Sequence, residues 1–245
     1  MALARDLSGV LGGEDILANE GAFLLGAATP DIRVLLRCPR EQTHFFSLAT
    51  DDPQDSLARL CAEHPRLADP ARLSPQGRAF MAGYLSHLAA DETWIEDYFR
   101  PCFREESDAP EELRGDVLDR VLQFELDRRR REDEDLRAHV REALARVAVP
   151  EEICFLERPV LERWVAVSSD QALHAPDWNR FVYQGGRHLQ RPELQTEEGM
   201  AAFLEQVPRF LGAAVERVTP ERVDAYEQTA RERSVRVIER YLTCA

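Results

Sequence analysis

A chain of 245 residues, 44% of them apolar, is long enough to bury a substantial core. Its 45 acidic residues outnumber 31 basic ones, and the formal net charge of -14 opposes approach to DNA, RNA or an anionic membrane surface. No run approaches the ~18 uninterrupted apolar residues of a spanning helix, and five scattered cysteines without a CxxC pair favour neither a disulfide framework nor a cysteine zinc site.

The first twenty residues carry acids and no apolar h-region, so the expectation is a cytoplasmic protein with reduced thiols, without stable membrane insertion. Every basic residue is arginine, a bias that fits GC-rich coding and carries no functional weight. Oligomeric state has no signature in the sequence.

Apolar residues recur at helical spacing through most of the chain, and strand-like alternation is almost absent. The fold expected is all-α, a multi-helix bundle in a single domain over 1–245. A metal-site core occupies about 20–130 and a helical extension about 150–245. In chain order, Gly12 and Gly13 act as capping residues before a first helix at 14–28. Prolines 30, 39 and 53 then mark 28–53 as a loop with brief helical turns. Helices follow near 54–65, 76–99, 110–145 and 150–166. The run DRRRREDED at 127–135 reads as a solvated helix face. An irregular stretch at 167–195 offers Trp178, Phe181 and Tyr183 as a lid or pocket wall, and helices at 196–216 and 220–242 close the chain. The last opens on Pro220, whose missing N–H costs nothing at a first helical position, with Thr219 as N-cap.

The residues able to carry chemistry concentrate in the first half. On a helix over 76–99, Phe80, Tyr84, His87, Asp91, Trp94, Ile95 and Tyr98 share one side. An imidazole and a carboxylate in an aromatic stripe each need a partner, because burying them unpaired costs a few kcal/mol. They satisfy each other, or both aim at one metal ion from adjacent turns. Upstream, GAATPDIR supplies Asp31 and THFFS supplies His44. Two histidines and two aspartates suit Zn2+, with Fe2+ or Mn2+ as further options.

The succession FLLGAATPDIR, THFFS and FMAGYLSHLAADETW resembles the zinc-dependent phospholipase C family, over roughly residues 20–130. The resemblance implies a helical fold in which Asp31, His44, His87 and Asp91 hold zinc, Asp91 being able to bridge to a second ion. It also implies a metal-activated water attacking a phosphoester or phospholipid, with Asp31 or a neighbouring carboxylate accepting the proton. Arg33 and Arg37 are candidates for holding the phosphate.

The chain departs from the family pattern as well. It begins Met1-Ala2-Leu3 where secreted members use a tryptophan ligand, and it has no histidine before His44. Downstream histidines are replaced by carboxylates, so one ion is expected rather than three. The candidates to complete a second site are Asp97, Asp108, Glu112, Asp116, Asp119, Glu125, Asp127 and His188. His64, His139 and His174 lack ligand-like neighbours and read as surface or satisfied residues. A phosphoric ester hydrolase is the first expectation. A non-catalytic scaffold with a structural metal is the alternative, and iron or manganese oxidative chemistry a third.

Overall fold

Helix α7 (Pro75–Trp94) buries every residue from Ala79 to Ser86, and α3 (Glu20–Ala28) buries every residue from Ala22 to Ala27. A helix apolar on all sides has to be enclosed by others. In the computed structural model, residues 2–11, 14–104, 114–185 and 192–243 are described, and among them the regular elements are all helical. The all-α expectation holds.

The residues group into two compact units, each assembled from separated stretches of chain. The first comprises Met1–Thr93, Asp135–Leu173 and Glu227–Ala245, the second Trp94–Glu134 and His174–Tyr226.

In the first unit α3 and α7 cross almost backbone to backbone. A Cβ built on Gly26 would lie 2.0 Å from the Phe80 carbonyl oxygen, and one on Gly83 would lie 1.9 Å from the Phe23 carbonyl oxygen. Only glycine permits that approach. Around this crossing pack α1 (Ala2–Leu11), α6 (Ser56–Glu63), α10 (Glu134–Ala145), α11 (Arg158–Leu173) and the later turns of α14 (Pro220–Thr243), through Leu7, Leu60, Leu144, Leu161 and Ile238. Polar side chains at the core edge find partners: Tyr241 donates to the Leu67 carbonyl at 2.7 Å and Trp164 to the Ala28 carbonyl at 3.1 Å.

Several helix boundaries differ from the sequence reading: the helix expected at 150–166 starts only at Arg158 and runs to Leu173, and others differ where no proline or glycine announces them. The expected first helix divides at Asn19 into α2 (Glu14–Ala18) and α3, and the pair is preceded by the unexpected α1. The expected 110–145 helix is interrupted at Glu132 and Asp133, between α9 (Gly115–Arg131) and α10. In the run before the break, Arg131 pairs with Asp127 at 2.9 Å and Arg128 with Glu132, the i,i+4 pattern of a solvated face.

The second unit is built on α9, α12 (Trp178–Gly185), α13 (Glu197–Val218) and the opening of α14. The stretch expected to be irregular therefore includes a helix. Trp178 and Phe181, both half-buried against the core of this unit, pack on Phe124 with ring centroids 4.7 and 4.5 Å away. A π-helical turn at Ile95–Phe99 follows α7, and Trp94 and Tyr98 stack at 5.1 Å with Tyr226 edge-on to both.

Asp119 sits in this unit with both carboxylate oxygens engaged, accepting from Trp94 Nε1 at 2.7 Å and Gln123 Nε2 at 2.8 Å. Burial nonetheless pushes its pKa above the ordinary 3.8, because removal from water penalises the anion more than the two donors favour it. A carboxyl raised on folding contributes stability that is fully present below its unfolded pKa and lost as pH rises through the folded value. Asp119→Asn should therefore flatten this part of the stability profile. Urea midpoints between about pH 4 and about pH 7 will show it, and an unchanged slope would rule out Asp119 as its source.

Candidate metal centre

Three short elements of the first unit deliver the polar side chains. At the end of α3 the buried Thr29 returns its hydroxyl to the Leu25 carbonyl at 2.6 Å, and a 3-10 turn at Thr29–Ile32 carries Asp31 outward between buried Pro30 and Ile32. The single turn α5 (Glu41–His44) ends in His44 and is closed by Phe45 in the left-handed region, φ 54°. The Tyr84 hydroxyl donates to the Thr43 carbonyl, tying this turn to α7, and burial pushes that hydroxyl's pKa well above its usual value. His87 lies one turn beyond Gly83 on α7.

Asp31, His44 and His87 converge so that one ligand atom from each lies within 4.8 Å of the others. His44 Nε2 is 3.7 Å from Asp31 Oδ1, and the two imidazole rings are 5.3 Å apart at 67°. His87 Nδ1 is 2.9 Å from the Ala27 carbonyl, which can only accept, so Nδ1 carries the hydrogen and the Nε2 lone pair is left for a ligand. His44 Nδ1 contacts Thr43 Oγ1 at 3.1 Å, while its Nε2 is buried without a hydrogen-bond partner.

That orphaned nitrogen is the observation that tests the fit of a metal. A buried polar atom without a partner costs about 1–3 kcal/mol, and an ion between the imidazoles and the carboxylate would satisfy it. Burial lowers the pKa of both histidines. For His44 the neighbouring His87 and the charges of Arg40 and Arg33 push the same way; for His87 the nearby Asp31 and the Ala27 contact oppose it. The imidazoles are therefore neutral near pH 7, the state a metal requires. The donor set suits zinc, and also iron or manganese.

Asp91, expected in the same shell, is not brought into this group. It lies one turn beyond His87, but its carboxylate is ion-paired with Arg40, just ahead of α5. The guanidinium supplies the partner that a part-buried carboxylate needs, so no ion is required to satisfy it. Arg40 was not singled out in the sequence, because its partner is 51 residues away.

Among the described residues the Asp31, His44 and His87 group is the only one of three or more His, Cys, Asp or Glu side chains able to hold an ion. Four of the second-site candidates are otherwise engaged. Asp116 pairs with Arg114 at 2.8 Å, Asp127 with Arg131, and Glu125 with both Arg128 and Arg129 at 2.7 and 2.8 Å. Asp119 is held by Trp94 and Gln123, and Asp97 lies on the π-helical turn of the second unit. Asp108, Glu112 and His188 lie outside the described residues. Of the remaining histidines, His139 contacts Glu20 at 2.9 Å, His64 stacks on Phe155 at 4.9 Å, and His174 is exposed.

Set against known proteins, the chain matches no family model, and neither a curated protein nor a solved structure is significantly similar to it. No helix among the described residues is long and apolar enough to cross a membrane. The chemistry of the site carries the functional reading.

Proposed function

We propose that this chain is a metal-dependent hydrolase of phosphoric esters, working in the manner of the zinc-dependent phospholipase C family that its three motifs resemble. The observation that supports it is the open donor set. Structural zinc is usually closed by four protein ligands, whereas catalytic zinc keeps three and leaves a position for water or substrate. Asp31, His44 and His87 make three, and the Asp31 side chain is 57% exposed.

Asp31, His44 and His87 would hold a divalent ion, which when bound would supply Lewis acidity and lower the pKa of a water from about 15.7 towards about 7. The Ala27 carbonyl fixes His87 with its Nε2 lone pair free, and His44 offers the same lone pair in the tautomer that donates from Nδ1 to Thr43 Oγ1. Asp31 needs one oxygen for the donor set and keeps the other to accept the proton as water bonds to phosphorus. The ester P–O bond then breaks, and the departing alcohol oxygen takes a proton from Asp31 or solvent. Zinc is the first choice, with iron or manganese next, and one ion fits the single donor group among the described residues.

The burial of His44, 1% exposed, is what favours the second reading, a non-catalytic scaffold stapled by its metal. Bis-p-nitrophenyl phosphate, p-nitrophenyl phosphate and phosphatidylcholine, each assayed with zinc, manganese and iron, separate the two. Metal-dependent turnover should fall by about 100-fold or more in Asp31→Asn. A fully loaded protein inert to all three esters establishes the scaffold instead.

A further inference from the structure

We propose that Thr43 decides where the hydrogen on His44 sits: its buried hydroxyl holds the imidazole in the Nδ1–H form and so presents Nε2 to a metal ion as a free lone pair. This rests on the metal-centre reading above and names the side chain that readies the site. Thr43 is a positioning residue, acting through His44 without joining the donors.

The two imidazoles are oriented by different means. His87 is held by the Ala27 carbonyl, a backbone group that can only accept and that no side-chain substitution removes. His44 instead meets a hydroxyl, with Thr43 Oγ1 3.1 Å from its Nδ1. Because a hydroxyl both donates and accepts, that contact alone leaves the ring two forms. In one, Nδ1–H donates to Oγ1 and Nε2 is free for a ligand; in the other, Oγ1–H donates to Nδ1 and Nε2 carries the hydrogen.

The surroundings of Thr43 choose between them. The residue is 2% exposed, so its hydroxyl takes its partners from the protein. Its other neighbour is the Arg40 carbonyl, 3.4 Å away, which also accepts the His44 backbone N–H at 2.9 Å. A carbonyl has two lone pairs and no hydrogen, so it takes both donors. With the Thr43 hydrogen directed there, Oγ1 is left to accept from Nδ1–H, and both side-chain contacts are hydrogen bonds. Reversed, the hydroxyl makes one bond instead of two, and the buried Nε2–H points at Asp31 Oδ1 from 3.7 Å, beyond hydrogen-bond length. The first arrangement gains a hydrogen bond and avoids an orphaned donor. Tyr84 supports it from α7, since its hydroxyl donates to the Thr43 carbonyl and holds the peptide from which the side chain projects.

The test combines nitrogen NMR of the histidine rings with zinc binding, both on the full chain. Ring spectra are recorded in chelator, at a pH above the range in which free imidazole titrates. Wild-type His44 should carry its hydrogen on Nδ1. In Thr43→Val, which keeps the branched shape and loses the hydroxyl, the population should move to Nε2–H, with His87 unchanged as the internal reference. Zinc affinity, measured by competition with a chromophoric chelator, should fall about 10–100-fold in Thr43→Val and stay within about 3-fold of wild type in Thr43→Ser. Circular dichroism checks that each variant is folded. Equal losses in the two variants would mark a packing role and overturn the proposal, as would a folded Thr43→Val that keeps Nδ1–H or binds zinc as the wild type does. Should Thr43→Val not fold, Thr43→Ala takes its place, and a wild-type His44 protonated on Nε2 overturns the proposal without any variant. If the wild type takes up no zinc, the metal-centre reading falls separately, and the ring spectra alone judge Thr43.

Discussion

Removing both imidazoles together, in His44→Ala combined with His87→Ala, is expected to abolish stoichiometric metal binding. What remains of the donor group is the exposed carboxylate of Asp31, and a lone carboxylate is a poor match for zinc at neutral pH. The consequence extends to stability, because an ion that binds only the folded chain adds about 2.7 kcal/mol at a free concentration 100 times its dissociation constant. In a chain of this size that corresponds to a rise in Tm of roughly 5–10 °C. The wild type should show this shift on adding zinc, and the double variant should show none. His87→Ala alone should retain weak binding through Asp31 and His44. Elemental analysis after desalting, run beside thermal melts, reads both effects; full occupancy in the double variant would refute the site.

Gly83→Ala is expected to be severely destabilising, although the same change in an ordinary helix interior stabilises by about 1 kcal/mol. The new methyl would lie 1.9 Å from the Phe23 carbonyl oxygen and 2.8 Å from its carbon. Both are backbone atoms, so no side-chain rotation relieves the collision, and α3 and α7 have to move apart. A cost of about 3 kcal/mol or more follows, a fall in Tm of roughly 6–12 °C. The strain also reaches the site, since α3 leads into the Asp31 turn and α7 carries His87, and metal affinity should drop with stability. Gly212→Ala on α13 is the internal control, because nothing lies within 4 Å of the added carbon. That protein should match or exceed the wild type in urea. A Gly83→Ala protein as stable as Gly212→Ala would show that α3 and α7 do not cross backbone to backbone.

The crossing gives the motif glycines a physical meaning that spacing alone did not supply. Gly26 and Gly83 open the G-x-x-x-PD and G-x-x-S-H stretches on which the phospholipase C resemblance rests, and each lies against the carbonyl of a residue on the other helix. Their separation of 57 positions carries no periodic signal. Only packing α3 on α7 reveals why both lack a side chain, and why Asp31 and His87 arrive at the same place.

The local statements made from residues alone hold where local physics governs. Helical periodicity foretold α6, α7, α13 and α14, with Pro220 opening the last, because apolar spacing and a missing N–H act within a turn or two. The breaks at Asn19 and at Glu132 and Asp133 stayed hidden, since neither is marked by proline or glycine. The same division runs through the site. That His87 and Asp91 stand one turn apart is a property of α-helical geometry and was legible from five residues of sequence. Which of them meets Asp31 and His44 was not legible, because Arg40, 51 residues upstream, engages Asp91 and leaves the donor group with three members. Backbone periodicity is decided by neighbours along the chain, whereas a part-buried charge is decided by whichever opposite charge the fold brings to it.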